Sequence, residues 1–200
     1  ETVFDFSDTM GVLRAAEKCN GSGDCRKGPQ AGGTMCPSYM ATREEKHTTR
    51  ARANILRQIL TEPADAEHPF NSEEIKEVMD LCLSCKACKS ECPSSVDMTK
   101  LKAEFLQHYH DANGVPLRSR MIAHFADSAR LASFAPRLYN AFFQTPILRR
   151  IANPLIGFHS ERSIPRLNRI TLRRWFASRT PLVPKRGKRL GRVHLFCDEF

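Results

Sequence analysis

The chain has 200 residues, is 41% hydrophobic and carries a formal net charge of +9. That size suits one compact domain or two small ones with a modest core. With no apolar run of about eighteen residues and no leader-like N-terminus, the expectation is a soluble, cytoplasmic protein without a transmembrane segment.

Charge divides the chain. Residues 1–113 hold 14 Lys and Arg against 18 Asp and Glu, a net of −4, whereas residues 114–196 hold 17 against only Asp127 and Glu161, a net of +15. The organisation expected is a domain with two cysteine motifs over 1–113, a basic helical extension and linker over 114–192, and the start of a following domain over 193–200.

In chain order the elements are mostly helical. A Gly-rich loop covers 20–35. Thr48 or Thr49 caps a helix whose stripe is Ala53, Ile55, Leu56, Ile59 and Leu60, and Pro63 stops it. After a loop over 61–71, Asn71 with Glu74 resembles a capping box that opens "EEIKEVMDLC" and delivers Cys82. Asp97 caps the next helix, which carries Leu101, Phe105 and Tyr109 on one face and ends at Gly114. Helices follow at 118–132, 136–143 and 146–152, split by Pro136, Pro146 and Pro154. The Arg-rich tail beyond 160 reads as irregular or extended. Val193, Leu195 and Cys197 alternate like a first strand, which marks the chain as a segment of a longer polypeptide.

The cysteines carry the chemistry. Seven of the eight lie before residue 114, and "CLSCKACKSECP" spaces Cys82, Cys85, Cys88 and Cys92 by two, two and three residues before Pro93. At that spacing three thiolates can wrap three corners of an iron-sulfur cube while backbone N–H groups point at its sulfides. Zinc sites usually come as two separated knuckles, and a disulfide framework belongs to secreted chains, so both are the weaker readings. The fourth cysteine of such a run ordinarily serves a second cluster, because the proline turns the chain away from the first.

The earlier stretch "CNGSGDCRKGPQAGGTMCP" looks like the same device with one ligand removed. Ser22 stands where a middle cysteine would be between Cys19 and Cys25, and Cys36-Pro37 plays the closing part. Crosswise ligation then joins Cys36 to Cys82, Cys85 and Cys88 around a [4Fe-4S] cluster. Cys19, Cys25 and Cys92 are left to hold a second cluster, three-iron or four-iron with one non-cysteine ligand; the alternative is a degenerate site whose cysteines pack as small hydrophobes.

"CNGSGDCRK", "GTMCPSYMATREEKHTTRARANILRQIL" and "CLSCKACKSECPSSVDM" together resemble the iron-sulfur region of the large FAD-linked oxidoreductases that oxidise D-2-hydroxy acids, over about residues 17–180. The resemblance implies a mainly α, helical, two-cluster ferredoxin-like fold. It also implies an FAD-bearing domain before this region and a cysteine-rich domain of the heterodisulfide-reductase type after it, with electrons passing from a D-2-hydroxy acid (D-2-hydroxyglutarate, D-lactate or glycolate) through the clusters to an acceptor. No catalytic, flavin-binding or substrate-binding residue is identifiable in this chain.

Other conspicuous residues have plainer readings. His47, His68, His108, His110, His124, His159 and His194 lack paired metal spacing and are assigned surface or core roles. Arg43, Arg50 and Arg52 either offset cluster charge or pair with Glu44 and Glu45 on a helix face. Leu131, Phe134, Leu138, Phe142 and Phe143 are assigned to a core or a domain contact. The basic tail is read as running over neighbouring domains, with no nucleic-acid partner. The competing class is a nucleic-acid-binding protein in which the cluster is only a structural staple.

Overall fold

The computed structural model describes residues 2–63, 65–179 and 194, and among them every regular element is helical. The expected strand with Cys197 and the tail over 180–192 lie outside the described residues. The chain divides into two compact units, Glu1–Gly114 and Val115–Phe200.

The first unit contains α1 (Val12–Glu17), α2 (Pro37–Thr42), α3 (Thr49–Thr61), α4 (Glu73–Asp80), α5 (Ala87–Glu91) and α6 (Met98–Asn113). Helix α3 is the hub, packing against α1, α4 and α6. Its inward residues Ala53 and Leu56 are fully buried together with Ile75 and Met79 of α4 and Phe105 of α6. These positions repeat at three- and four-residue intervals, which brings one stripe of each helix onto the common core.

The caps follow side-chain chemistry. Thr48 accepts the Ala51 N–H at the start of α3, and Asp97 accepts the Lys100 N–H at the start of α6. Gly114 ends α6 at φ +82°, a conformation that costs glycine nothing. At α4 the expectation shifts by one residue. Ser72, not Asn71, is the N-cap and accepts the Ile75 N–H, while Asn71 Oδ1 instead accepts from Asn113 at the far end of α6. A hydroxyl one residue later still reaches the free amides of the first turn, so the tertiary contact to α6 decides between two competent caps.

The second unit contains α7 (Leu117–Ala123), α8 (Phe125–Ala132), α9 (Pro136–Gln144), α10 (Pro146–Leu155) and α11 (Leu172–Ala177). Three expectations are corrected here. The helix over 118–132 is broken at His124. Pro154 lies inside α10 instead of ending it, and the tail holds a helical turn in α11, capped by Thr171. Pro154 is tolerated because it falls in the last turn, where the chain leaves through a tight turn at Gly157.

The stretch before α11 is extended and stitched to α9. Asn140 exchanges two hydrogen bonds with the Leu167 backbone and Gln144 donates to the Ile164 carbonyl. Leu131, Phe134 and Leu138 do not form a core: all three are exposed, Phe134 to 84%, because short helices separated by breaks leave no long apolar face to close. Among the described residues, no helix is long and apolar enough to cross a membrane.

Candidate iron-sulfur centre

The geometry starts from two Cys-Pro turns. Cys36 sits in the left-handed region (φ +56°) immediately before α2, with Pro37 at the first helical position, where its missing N–H is no loss. That backbone costs roughly 1–2 kcal/mol for a residue with a Cβ. It swings the Cys36 sulfur toward the start of α3, where Sγ accepts the Thr49 N–H at 3.0 Å and lies 2.9 Å from Thr49 Oγ1. The first amides of a helix have no carbonyl partner, so they form a site for a thiolate.

The second motif wraps from the other side. Helix α4 ends at Asp80, and the chain crosses from Cys82 to Lys86 outside any helix, with Ser84 at φ +54° and Lys86 at φ +61°. Left-handed residues interspersed in such a loop turn successive N–H groups toward one side, an arrangement that binds anions. Cys36, Cys82, Cys85 and Cys88 line one small, partly open cavity, together with Thr49, Arg52 and Lys86. The four sulfurs that spacing selected are therefore brought around one space.

The long Gly-rich insertion before Cys36 is held by a residue that spacing rules do not reveal. Glu91, at the end of α5, accepts the N–H groups of Thr34 and Met35 at 2.9 and 3.0 Å and the Thr34 hydroxyl at 2.6 Å. Those donors, the Thr34 hydroxyl foremost, keep its carboxyl below the usual range. Gly33 lies at φ +84°, and a Cβ there would stand 2.6 Å from a Glu91 carboxylate oxygen. Glu91 thus ties the segment entering Cys36 to the residue preceding Cys92.

Three cations surround the cavity region. Arg52 is 2% exposed, and its guanidinium donates only to neutral acceptors: the His47 carbonyl at 2.7 Å, the Val78 carbonyl at 2.9 Å and the Ser38 hydroxyl at 3.2 Å. Half-buried Lys102 donates to the carbonyls of Met79 and Cys82 at 2.8 and 2.7 Å, and burial lowers its pKa. Lys86 lies in the ligand loop itself. Arg50, in contrast, pairs with Glu45 at the surface, and Arg43 stacks over Tyr39.

The remaining cysteines fall into two places. Cys25 is buried against Cys36 and the start of α3. Its thiol is drawn down to about 6, first by the Cys36 side chain bonded to it and then by the Arg50 N–H and the Thr48 hydroxyl. Cys36 is pushed up in turn, by Cys25 and by burial, so the pair takes one negative charge readily and resists a second. Cys19 and Cys92 are half-buried at the edge of the same core. Cys19, Cys25 and Cys92 do not line the cavity formed by Cys36, Cys82, Cys85 and Cys88.

The histidines take structural parts. His47 is buried and bonds Thr42 through Nδ1, and His108 stacks on Phe70 and bonds the fully buried Glu104, whose two oxygens also accept the N–H groups of Val3 and Phe4.

The residues present suit an anionic polynuclear group. Cys88 is pushed up by burial and by the neighbouring thiols of Cys82 and Cys85, so several thiolates can coexist here only when cations offset them. Iron would supply that offset, displacing the protons on binding. Among the described residues, no three His, Cys, Asp or Glu side chains meet closely enough to grip a single ion. A cube differs in that each thiolate binds its own iron, so the sulfurs must enclose a volume instead of meeting at a point. Arg52 supplies the second observation, since a buried guanidinium with neutral partners alone is costly unless an anion lies beside it.

Comparison with known proteins follows the same division. Residues 18–97 match the family described as a 4Fe-4S dicluster domain. The chain is 31% identical over 178 residues to a D-2-hydroxyglutarate dehydrogenase of Escherichia coli K12, covering 72% of this chain and 17% of that protein. It is 30% identical to the Pantoea ananatis protein of the same name, with the same coverage. To that of Pseudomonas putida KT2440 it is 28% identical over 185 residues, covering 77% of this chain and 18% of that protein. No solved structure matches significantly. The chain is thus similar to a section spanning about 17% of the length of D-2-hydroxyglutarate dehydrogenases, and its cysteine-bearing stretch matches a dicluster iron-sulfur family.

Proposed function

We propose that this chain is the ferredoxin-like electron-transfer module of an FAD-linked oxidoreductase acting on a D-2-hydroxy acid of the D-2-hydroxyglutarate or D-lactate class. The observation that carries this reading is the convergence of Cys36 with Cys82, Cys85 and Cys88 on one cavity lined by buried Arg52. In this reading those four cysteines hold a [4Fe-4S] cluster, and a cluster held there supplies one-electron transfer. The similarity to D-2-hydroxyglutarate dehydrogenases supports placing FAD and substrate on a neighbouring domain, and an electron acceptor at a further domain or partner. Nothing in the comparisons favours a nucleic-acid partner.

Each protein group has a defined part. Thr49 orients the Cys36 sulfur, Lys102 holds the Cys82 carbonyl, and Glu91 keeps the two motifs in register. Met98 donates its N–H to Cys88, a hydrogen bond that favours the thiolate. The test is turnover of the full-length polypeptide against a panel of D-2-hydroxy acids with an artificial electron acceptor. Oxidation of none of them, by protein loaded with iron and flavin, defeats the substrate assignment.

Cys19, Cys25 and Cys92 are proposed to hold the second cluster, with no thiolate at the corner near Ser22. Ser22→Cys is expected to convert a three-iron centre to a four-iron one, a gain of about one iron per chain with loss of the oxidised three-iron paramagnetic signal. Unchanged iron and unchanged spectra on this substitution count against a three-iron second site.

A further inference from the structure

We infer that Arg52 and Lys102 form a counter-charge pair that raises the reduction potential of the cluster bound by Cys36, Cys82, Cys85 and Cys88, an inference that rests on the cluster reading above. Arg52 is buried and Lys102 half-buried, and both hold the same end of α4. Arg52 lines the cavity and reaches the end of α4 through the Val78 carbonyl, and Lys102 reaches the same helix end through the carbonyls of Met79 and Cys82.

Neither makes an ion pair among the described residues, although ten carboxylates elsewhere in the first unit do pair with Lys, Arg or His. The groups whose negative charge acts on Lys102 are the Cys82 thiol and, more weakly, the Asp80 carboxylate, and Lys102 also donates to the Asp80 backbone carbonyl at 3.5 Å. Arg52 and Lys102 repel one another, and neither forms an ion pair among the described residues. An anion in the cavity beside Arg52 and the Cys82 loop offsets that repulsion, and the thiolate-bound group is the anion the cavity can take.

The redox consequence follows from charge balance. Reduction adds one electron, which the electrode supplies in the spectroelectrochemical titration. The added negative charge is stabilised by cations fixed in a partly buried site more than the oxidised state is. Arg52 therefore acts on the potential as a positioning charge, distinct from the ligands and from Arg50, whose charge is spent on Glu45.

The test uses the whole chain, reconstituted anaerobically with ferrous iron and sulfide, with iron counted and the four-iron signal titrated spectroelectrochemically. Arg52→Gln is expected to disfavour reduction by at least about tenfold, a fall of about 59 mV for a one-electron couple, while Arg52→Lys keeps most of the parent potential. Lys102→Gln is expected to shift it in the same direction. If Arg52→Gln loads fully and titrates with the parent, or if Gln and Lys at position 52 shift it equally, the inference is overturned. Should both Arg52 variants fail to load, Lys102→Gln decides, and an unchanged potential there overturns it as well. A parent chain that takes up no iron would instead defeat the cluster reading itself.

Discussion

Replacing Cys85 by Ser is expected to remove about four irons per chain, together with the broad visible absorption that bleaches with dithionite. Cys85 is the exposed member of its set, lying in the loop between Cys82 and the start of α5, whereas Cys36 and Cys88 are buried. Its sulfur contributes to the rim of the cavity and to none of the packed core, so the substitution removes a corner ligand without opening a void. Far-ultraviolet circular dichroism should therefore retain its helical intensity while iron falls. Cys25→Ser provides the contrast, because it leaves the four lining cysteines in place and should spare the four-iron signal. Iron content and spectrum unchanged in Cys85→Ser would exclude that residue as a ligand.

Phe105→Ala is expected to destabilise the first unit by about 3–5 kcal/mol, the usual cost of deleting a buried aromatic ring and leaving its cavity. Phe105 is fully buried on α6, with its ring centroid 6.4 Å from Phe70 and 5.7 Å from Tyr109. It therefore joins α6 to the segment preceding α4 and to the core built on α3. Because small domains hold only about 5–15 kcal/mol in total, the urea midpoint should fall by about a fifth or more. Leu138→Ala, at a residue exposed to 73% on α9, should change stability by less than about 0.5 kcal/mol. The two midpoints, followed by circular dichroism on the same chain, check the core assignment. A Phe105→Ala midpoint close to that of Leu138→Ala contradicts it.

Local chemistry explains which helices were readable. At α3 and α6 the capping side chain, the apolar stripe and the terminator are all written within a few consecutive residues, so Thr48, Asp97 and Gly114 announce themselves. Helices α1, α2 and α5 span five or six residues and were not anticipated, since such short pieces have almost no periodicity and are stable only because neighbours cover them. Of the two readings of the apolar residues at 131–143, a core or a domain contact, the exposure of Leu131, Phe134 and Leu138 removes only the first. They carry a helical pattern, but pattern alone does not say whether a partner face exists.

The four cysteines that line one cavity are legible along the chain: the gaps of Cys82, Cys85 and Cys88 and the prolines after Cys36 and Cys92 are local constraints on backbone direction. The contacts that surround them come from packing. Glu91 reaches Thr34 across 57 positions and Lys102 reaches Cys82 across 20. Of three arginines equal in the sequence, Arg52 alone is buried beside the cysteines, because α3 turns it toward α4 while Arg50 faces Glu45. Ligand spacing is a property of neighbouring residues and is legible along the chain. Counter-charge and register depend on which distant segments the core brings together, and that is settled by packing.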